Sequence, residues 1–274
     1  MAVDVHTHLL PLRLAERIRA FFAQRMDAGD LAYTLDYGRL LDQHLACGID
    51  TVWNLPYAHK AGMARALNDT MLEVADDLSQ HGVSFVSGCT VHPDDPDPAD
   101  DLHKAVHNGA QVLKLHCSVG DYQPTHPALA QVFAAAGELN IPVTIHAGHS
   151  ISGHTEPSEL DPIAQVVSRH PKTTFVLAHS GHHSYLRAVE LMRGHANLMC
   201  DLTPVIYESV PISASDAEEF GDRFLFGTDA PNTGLTAPQL LTHLDDVGMS
   251  TEIYRQITET NAATLVDRFE ASQQ

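Results

Sequence analysis

The chain has 274 residues, 44% of them hydrophobic, and sets 35 acidic residues against 16 basic ones for a formal charge of −19. That acid excess argues against nucleic acid or an anionic membrane as a partner and leaves a small molecule as the expected one, with a homodimer the assembly allowed for. No apolar run approaches the ~18 residues of a membrane span, and no basic, apolar-cored leader opens the chain.

The elements follow in order. Ala2 to Val5, apolar except for Asp4, reads as a buried first strand. Residues two apart on a strand share a face, so His6 and His8 present both imidazoles to one side. A helix is expected from Leu12 to Arg25, then a polar loop over Asp27 to Asp36. Gly48-Ile-Asp-Thr-Val-Trp-Asn-Leu-Pro gives the second strand, and Met63, Leu67, Met71, Val74 and Leu78 set a helical period over Met63 to Gln80. Val83–Cys89, Ala110–His116, Ile141–His146, Thr174–His179, Asn197–Leu202 and Arg223–Asp229 are six further strands. The helices between them are expected at Asp100–Asn108, Pro127–Leu139, Pro162–Arg169, Tyr185–Arg193 and near Asp216. Pro238–Val247, Glu252–Gln256 and Asn261–Phe269 close the chain. Eight strands alternating with helices predict an α/β fold of the (β/α)8 TIM-barrel type, a single domain over residues 1–274. A doubly wound sheet would want a glycine-rich phosphate loop after the first strand, and His-Thr-His-Leu-Leu-Pro is not one. The four cysteines, Cys47, Cys89, Cys117 and Cys200, lie far apart in or beside apolar runs. They read as reduced residues of a cytoplasmic protein.

Polar residues recur at the ends of these strands: His6 and His8, Lys114 and His116, His146, His179 and Asp229. Strand C-termini converge on the face of a barrel where its chemistry takes place. Imidazole and carboxylate together suit a divalent ion such as zinc, with manganese or iron(II) as substitutes, held by His6, His8, His146, His179 and Asp229. A bound ion lowers the pKa of its water and polarises a carbonyl, and Asp229 is placed to take the proton. Lys114 has two readings: a carbamate bridging two metals, or a free cation that orients a substrate carboxylate. His116, His149, Tyr57 and His92 are candidates to line the substrate pocket, with His154, Glu156, His182 and His183 beside them. Asp201 is a candidate to orient a ligand histidine. The helical histidines His44, His81, His103 and His107 read as surface or boundary residues.

The ordered series Asp4-Val-His-Thr-His8, Val112-Leu-Lys-Leu-His116, Ile141-Pro-Val-Thr-Ile-His-Ala-Gly, Phe175-Val-Leu-Ala-His-Ser-Gly, Asn197-Leu-Met-Cys-Asp-Leu, Phe226-Gly-Thr-Asp-Ala-Pro and Asn261-Ala-Ala resembles the amidohydrolase superfamily. Within it, the chain is most similar to the amidohydrolase-related group of hydrolases, lactonases and non-oxidative decarboxylases. The resemblance implies that His6 and His8 are the first metal ligands, His146 the strand-five ligand and Asp229 the strand-eight ligand that also moves the proton. It gives His179 either the second metal or the activated water, and it makes Lys114 a carbamate in members with two ions. The implied reaction is hydrolysis of an amide, lactam or lactone with metal-activated water. The alternative is a lyase, a metal-dependent decarboxylase of an aromatic or unsaturated acid. That reaction would want an arginine clamp, for which the supply is Arg13, Arg17, Arg19 and Arg25, with Arg187 and Arg193 further on.

Overall fold

The computed structural model describes residues 2–23, 31–147, 156–204 and 212–273. Its eight strands are β1 (Ala2–Thr7), β2 (Ile49–Asn54), β3 (Ser84–Cys89), β4 (Val112–Leu115), β5 (Val143–Ile145), β6 (Phe175–Leu177), β7 (Leu198–Asp201) and β8 (Phe224–Leu225). They pair in parallel in sequence order from β1 to β8. Val5 N–H donates to the Phe226 carbonyl (2.9 Å), Asp229 N–H to His6 (2.8 Å) and His8 N–H to Ala230 (2.7 Å), which closes β8 onto β1. The result is a TIM barrel.

The helices are α1 (Leu12–Ala23), α2 (Tyr37–Ala46), α3 (Ala64–Ser79), α4 (Pro98–His107), α5 (Cys117–Gly120), α6 (Leu129–Glu138), α7 (Glu156–Arg169), α8 (Tyr185–Gly194), α9 (Ala214–Phe220), α10 (Ala237–Asp246), α11 (Thr251–Arg255) and α12 (Asn261–Ser272). Several of their starts follow from side chains that satisfy free backbone donors. Asp36 caps α2 through Arg39 N–H, Asp97 caps α4 through Asp100 N–H and Ser213 caps α9 through Asp216 N–H.

Strand alternation divides the core in two. Val3, Val5, Trp53, Leu55, Val86, Val112, Val176, Met199 and Leu225 pack together inside the barrel, joined by Ala262 and Leu265 of α12. Leu113, Leu115, Val143, Ile145, Phe175, Leu177, Leu198 and Cys200 turn outward to the helix layer, against residues such as Phe133, Ile163 and Val167. Lys114 sits two residues after the inward Val112, which sends its side chain up the interior with no exposed surface.

Three features differ from the expectations. Helix α2 occupies a stretch that periodicity left unassigned, and β8 is only two residues long, so Asp229 stands beyond its strand in a left-handed conformation (φ 62°). His44 of α2 is not a surface residue. It is fully buried, with Nδ1 on the Leu40 carbonyl (3.1 Å) and Nε2 on Asp4 Oδ2 (3.0 Å), because a buried carboxylate needs a donor. His81, His103 and His107 are exposed, as expected. Among the described residues none of the four cysteines is in a disulfide, and no helix is long and apolar enough to cross a membrane.

Candidate metal centre

The pairing of β1 with β2 slips between Asp4 and Thr7. Val3, ahead of the slip, and Val5, within it, join the interior cluster, while Asp4 joins the seam and His44. His6, still within it, and His8, just past it, bring their rings together, 5.0 Å apart between centroids.

His6 Nδ1 lies 2.9 Å from Asp201 Oδ2. An ionised carboxylate only accepts, so Nδ1 carries the hydrogen and Nε2 keeps a lone pair. His8 repeats the arrangement: its Nδ1 donates to the Leu55 carbonyl, which leaves Nε2 bare. The two Nε2 atoms stand 3.2 Å apart, and Asp229 Oδ1 lies 3.2 Å from the His8 nitrogen and 3.8 Å from the His6 nitrogen. Three acceptors thus face one another, with Lys114 Nζ the donor to one of them, 2.9 Å from His6 Nε2. A cation resolves that crowding. Ligands about 2.0–2.1 Å from a tetrahedral ion lie about 3.3–3.4 Å from each other, and the triangle of 3.2, 3.2 and 3.8 Å fits such an ion.

A second group adjoins the first. His179 Nε2 lies 3.2 Å from His146 Nδ1, and His179 Nδ1 is buried with no hydrogen-bond partner. The His179 ring is 5.0 Å from that of His6. His6, His8 and Asp229 have donor atoms mutually within 4.8 Å, and so do His6, His179 and Asp201; His146 enters through His179. Asp201 serves both groups: Oδ2 holds His6 while Oδ1 accepts the backbone N–H groups of His179 (2.8 Å) and Thr203 (3.2 Å). Those bonds hold a strained turn, since His179, Ser180 and His182 all have positive φ (57°, 46° and 48°).

Burial, with the Lys114 ammonium beside it, holds His6 well below the usual histidine value. Burial, followed by its neighbour His146, does the same for His179, and burial followed by Lys114 does so for His116. All three rings are therefore neutral and able to act as ligands near pH 7. Burial also lowers Lys114 to about 8, against the opposing pull of Asp201 and Asp229. Its amine is thus neutral in an appreciable fraction of molecules, which is the form a carbamate is made from.

The structure brings together His6, His8, Lys114, His116, His146, His179, Asp229, Asp201 and Tyr57. His116 stacks on His146 (3.7 Å, 16°), and Tyr57 lies edge-on to His8 (5.2 Å) and 5.1 Å from His116. Burial, then Asp229, raises the Tyr57 phenol, so it remains a donor. His92 stands apart: its Nε2 meets the Gly120 carbonyl (3.2 Å) and its Nδ1 accepts from Asp94 N–H (3.3 Å), so both nitrogens are spent on backbone. His182 is buried within the strained turn and His183 is exposed just past it. His149 and His154 lie outside the described residues, and Glu156 opens α7.

Several contributors escaped sequence reasoning. Asp4 takes Thr228 N–H and His6 N–H on Oδ1, and the Thr228 hydroxyl and His44 on Oδ2. It thereby ties both sides of the barrel seam directly below His6 and Asp229. A lone carboxylate in a buried strand was the available signal. Gly227 is required for space: a Cβ there would come within 2.9 Å of the His6 Cβ and strike Thr203 Oγ1.

A family model described as amidohydrolase matches residues 3–268. No curated protein matches the chain. Among solved structures, an uncharacterized TIM-barrel protein from Bordetella bronchiseptica superposes with a TM-score of 0.75 at 16% identity, over 98% of this chain and 99% of that one. A dihydroxybenzoic acid decarboxylase from Polaromonas sp. JS666, with bound manganese and the inhibitor 2-nitroresorcinol, has a TM-score of 0.69 at 14% identity, over 97% and 96%. N-isopropylammelide isopropylaminohydrolase from Burkholderia multivorans has a TM-score of 0.61 at 17% identity, over 98% and 75%. At these identities the likeness speaks for the fold.

Proposed function

The chain belongs to the amidohydrolase family, and on that premise we propose that it is a metal-dependent hydrolase acting on a carbonyl-type C–N or C–O bond of a small molecule. An amide, lactam or lactone is the expected substrate class. The observation that carries this reading is the triangle of facing acceptors, His6 Nε2, His8 Nε2 and Asp229 Oδ1. These three atoms would hold one divalent ion, zinc first, with manganese or iron(II) as substitutes. Lys114 as a carbamate, with His146 and His179, would hold a second. When bound, the ion supplies an acidified water and an electrophile for the carbonyl oxygen.

The chain's own residues supply the rest. Asp229 keeps 18% of its side chain exposed, so it reaches both the metal corner and an incoming substrate. It takes the proton of the attacking water and returns it to the leaving group. Tyr57 and His179 stand as neutral groups beside the carbonyl, where a donor stabilises negative charge that develops on oxygen. The stacked His116 and His146 rings form a flat wall against which a substrate lies.

Decarboxylation is the second reading, and Arg19 is the observation that favours it. From α1 its Nη2 donates to the carbonyl of Pro231 (3.1 Å), two residues past Asp229, and its Nε is buried without a partner. A guanidinium so placed could receive a carboxylate. Metal analysis combined with turnover of a lactone and amide panel, alongside carbon dioxide release from dihydroxybenzoates, separates the two. Asp229→Asn is expected to keep its metal and lose about 10²–10⁴-fold in hydrolysis. A variant that turns over at the parent rate would remove Asp229 from the role given to it.

A further inference from the structure

His116 follows β4 directly, yet among the described residues neither group of metal-holding side chains includes it. Its backbone is extended (φ −121°, ψ 80°), which carries the alternation of the strand past Leu115 and turns the ring to the side of Lys114. The ring is 7% exposed and stacks on His146 (3.7 Å, 16°), with the Tyr57 ring 5.1 Å away at 58°. Lys114, His8, His179 and His6 all stand close enough to act on its charge, so it belongs among the residues of the metal corner.

The occupied nitrogen sets it apart. His6 and His8 spend Nδ1 on an acceptor, Asp201 Oδ2 and the Leu55 carbonyl, and keep the Nε2 lone pair. His116 meets a hydroxyl instead: Ser118 Oγ lies 3.3 Å from its Nδ1. A hydroxyl both donates and accepts, so its surroundings decide the direction. Ser118 is itself buried (7% exposed), and among the described residues its hydroxyl has that nitrogen as its one acceptor. A hydrogen on Nδ1 would leave the buried hydroxyl hydrogen unspent, which folded proteins rarely tolerate. Ser118 therefore donates, Nδ1 accepts, and the neutral ring carries its one hydrogen on Nε2. A nitrogen that bears hydrogen has no lone pair to give an ion.

We infer that His116 is a substrate-binding donor and not a metal ligand: Ser118 holds its Nδ1, and its Nε2–H donates to a carbonyl oxygen of the substrate beside the metal corner. Ser118 is the positioning residue, since it selects the tautomer without touching the substrate. The inference rests on the hydrolase reading for the kind of acceptor, a carbonyl.

Cyclohexanone offers that acceptor with no bond to hydrolyse and serves as the probe. Long-range proton–nitrogen NMR of the histidine rings in the zinc-loaded protein reads the tautomer, with the His116 signals identified by their absence from His116→Phe. The parent should carry the His116 hydrogen on Nε2, and cyclohexanone should move that signal. His116→Phe keeps a flat ring beside His146. It should retain zinc and bind the ketone roughly 3–10-fold more weakly, the worth of one neutral hydrogen bond. Ser118→Ala should mix the two tautomers and retain zinc. A hydrogen on Nδ1 in the parent, or an Nε2 signal that ignores the ketone, overturns the inference. So does zinc lost from a folded His116→Phe protein, parental ketone affinity in that variant, or a parental tautomer in Ser118→Ala. A lactone and amide panel left intact by a protein that binds the ketone through His116 would refute the reaction class and leave this result standing. Turnover of that panel with a His116 signal unmoved by the ketone would refute this inference alone.

Discussion

Asp201 shows how one side chain without reactive chemistry can set the chemistry of two others. Its carboxylate fixes the tautomer of His6 through Nδ1 and holds the backbone of His179 in a left-handed turn that a side chain ordinarily avoids. Asparagine is nearly isosteric but offers one acceptor and one donor. Whichever way the amide turns, its NH2 faces either the His6 Nδ1–H or the His179 and Thr203 N–H groups. Asp201→Asn is therefore expected to weaken metal binding about 10–100-fold, read by competition against a chromophoric chelator. An affinity equal to the parent's would show that Asp201 serves the turn alone. This role was legible in the sequence, since an aspartate ending an apolar strand calls for a donor. The place of His92 was not, because its nitrogens are taken by the Asp94 N–H and by the Gly120 carbonyl, twenty-eight residues on and brought near only by the barrel.

At the level of elements, the seam between β8 and β1 decides where the metal corner stands. Three backbone hydrogen bonds close it, and Asp4 clamps it from outside through Thr228 and His44. Removing the donor on α2 strands a fully buried carboxylate oxygen with the Thr228 hydroxyl as its remaining partner. His44→Leu, close in volume, is expected to cost on the order of 3–5 kcal/mol in urea unfolding. A loss below about 1 kcal/mol would mean that the clamp is dispensable. The alternation of strands and helices was readable because strands buried on both faces appear as short apolar runs between helical periods. Helix α2 was not read because its buried face, Leu40 and Leu41, is completed by His44, a polar residue where the period wants an apolar one. The slip in β1 was hidden for a different reason. Alternation alone puts Asp4 on the side of His6 and His8, and only the pairing with β2 reveals the irregularity that separates them.

Across the whole molecule, a site built from both sides of the closure makes metal binding and barrel stability one equilibrium. His6 and His8 come from the first strand and Asp229 from beyond the last, so an ion shared by them bridges the two ends of the sheet. Whatever binds the folded chain and not the unfolded one stabilises it by mass action, about 4 kcal/mol at a thousand times the dissociation constant. For a chain of this size that corresponds to a fall in Tm of about 7 °C when the metal is stripped by a chelator. Restoration should need only stoichiometric zinc. The formal charge of −19 supplies the control: monovalent salt screens repulsion over the entire surface, so it should raise the Tm of the stripped and loaded forms alike. A chelator that removes the ion and leaves Tm where it was would break the link between the corner and the seam. A stripped protein rescued by salt as fully as by zinc would reduce the metal effect to charge neutralisation.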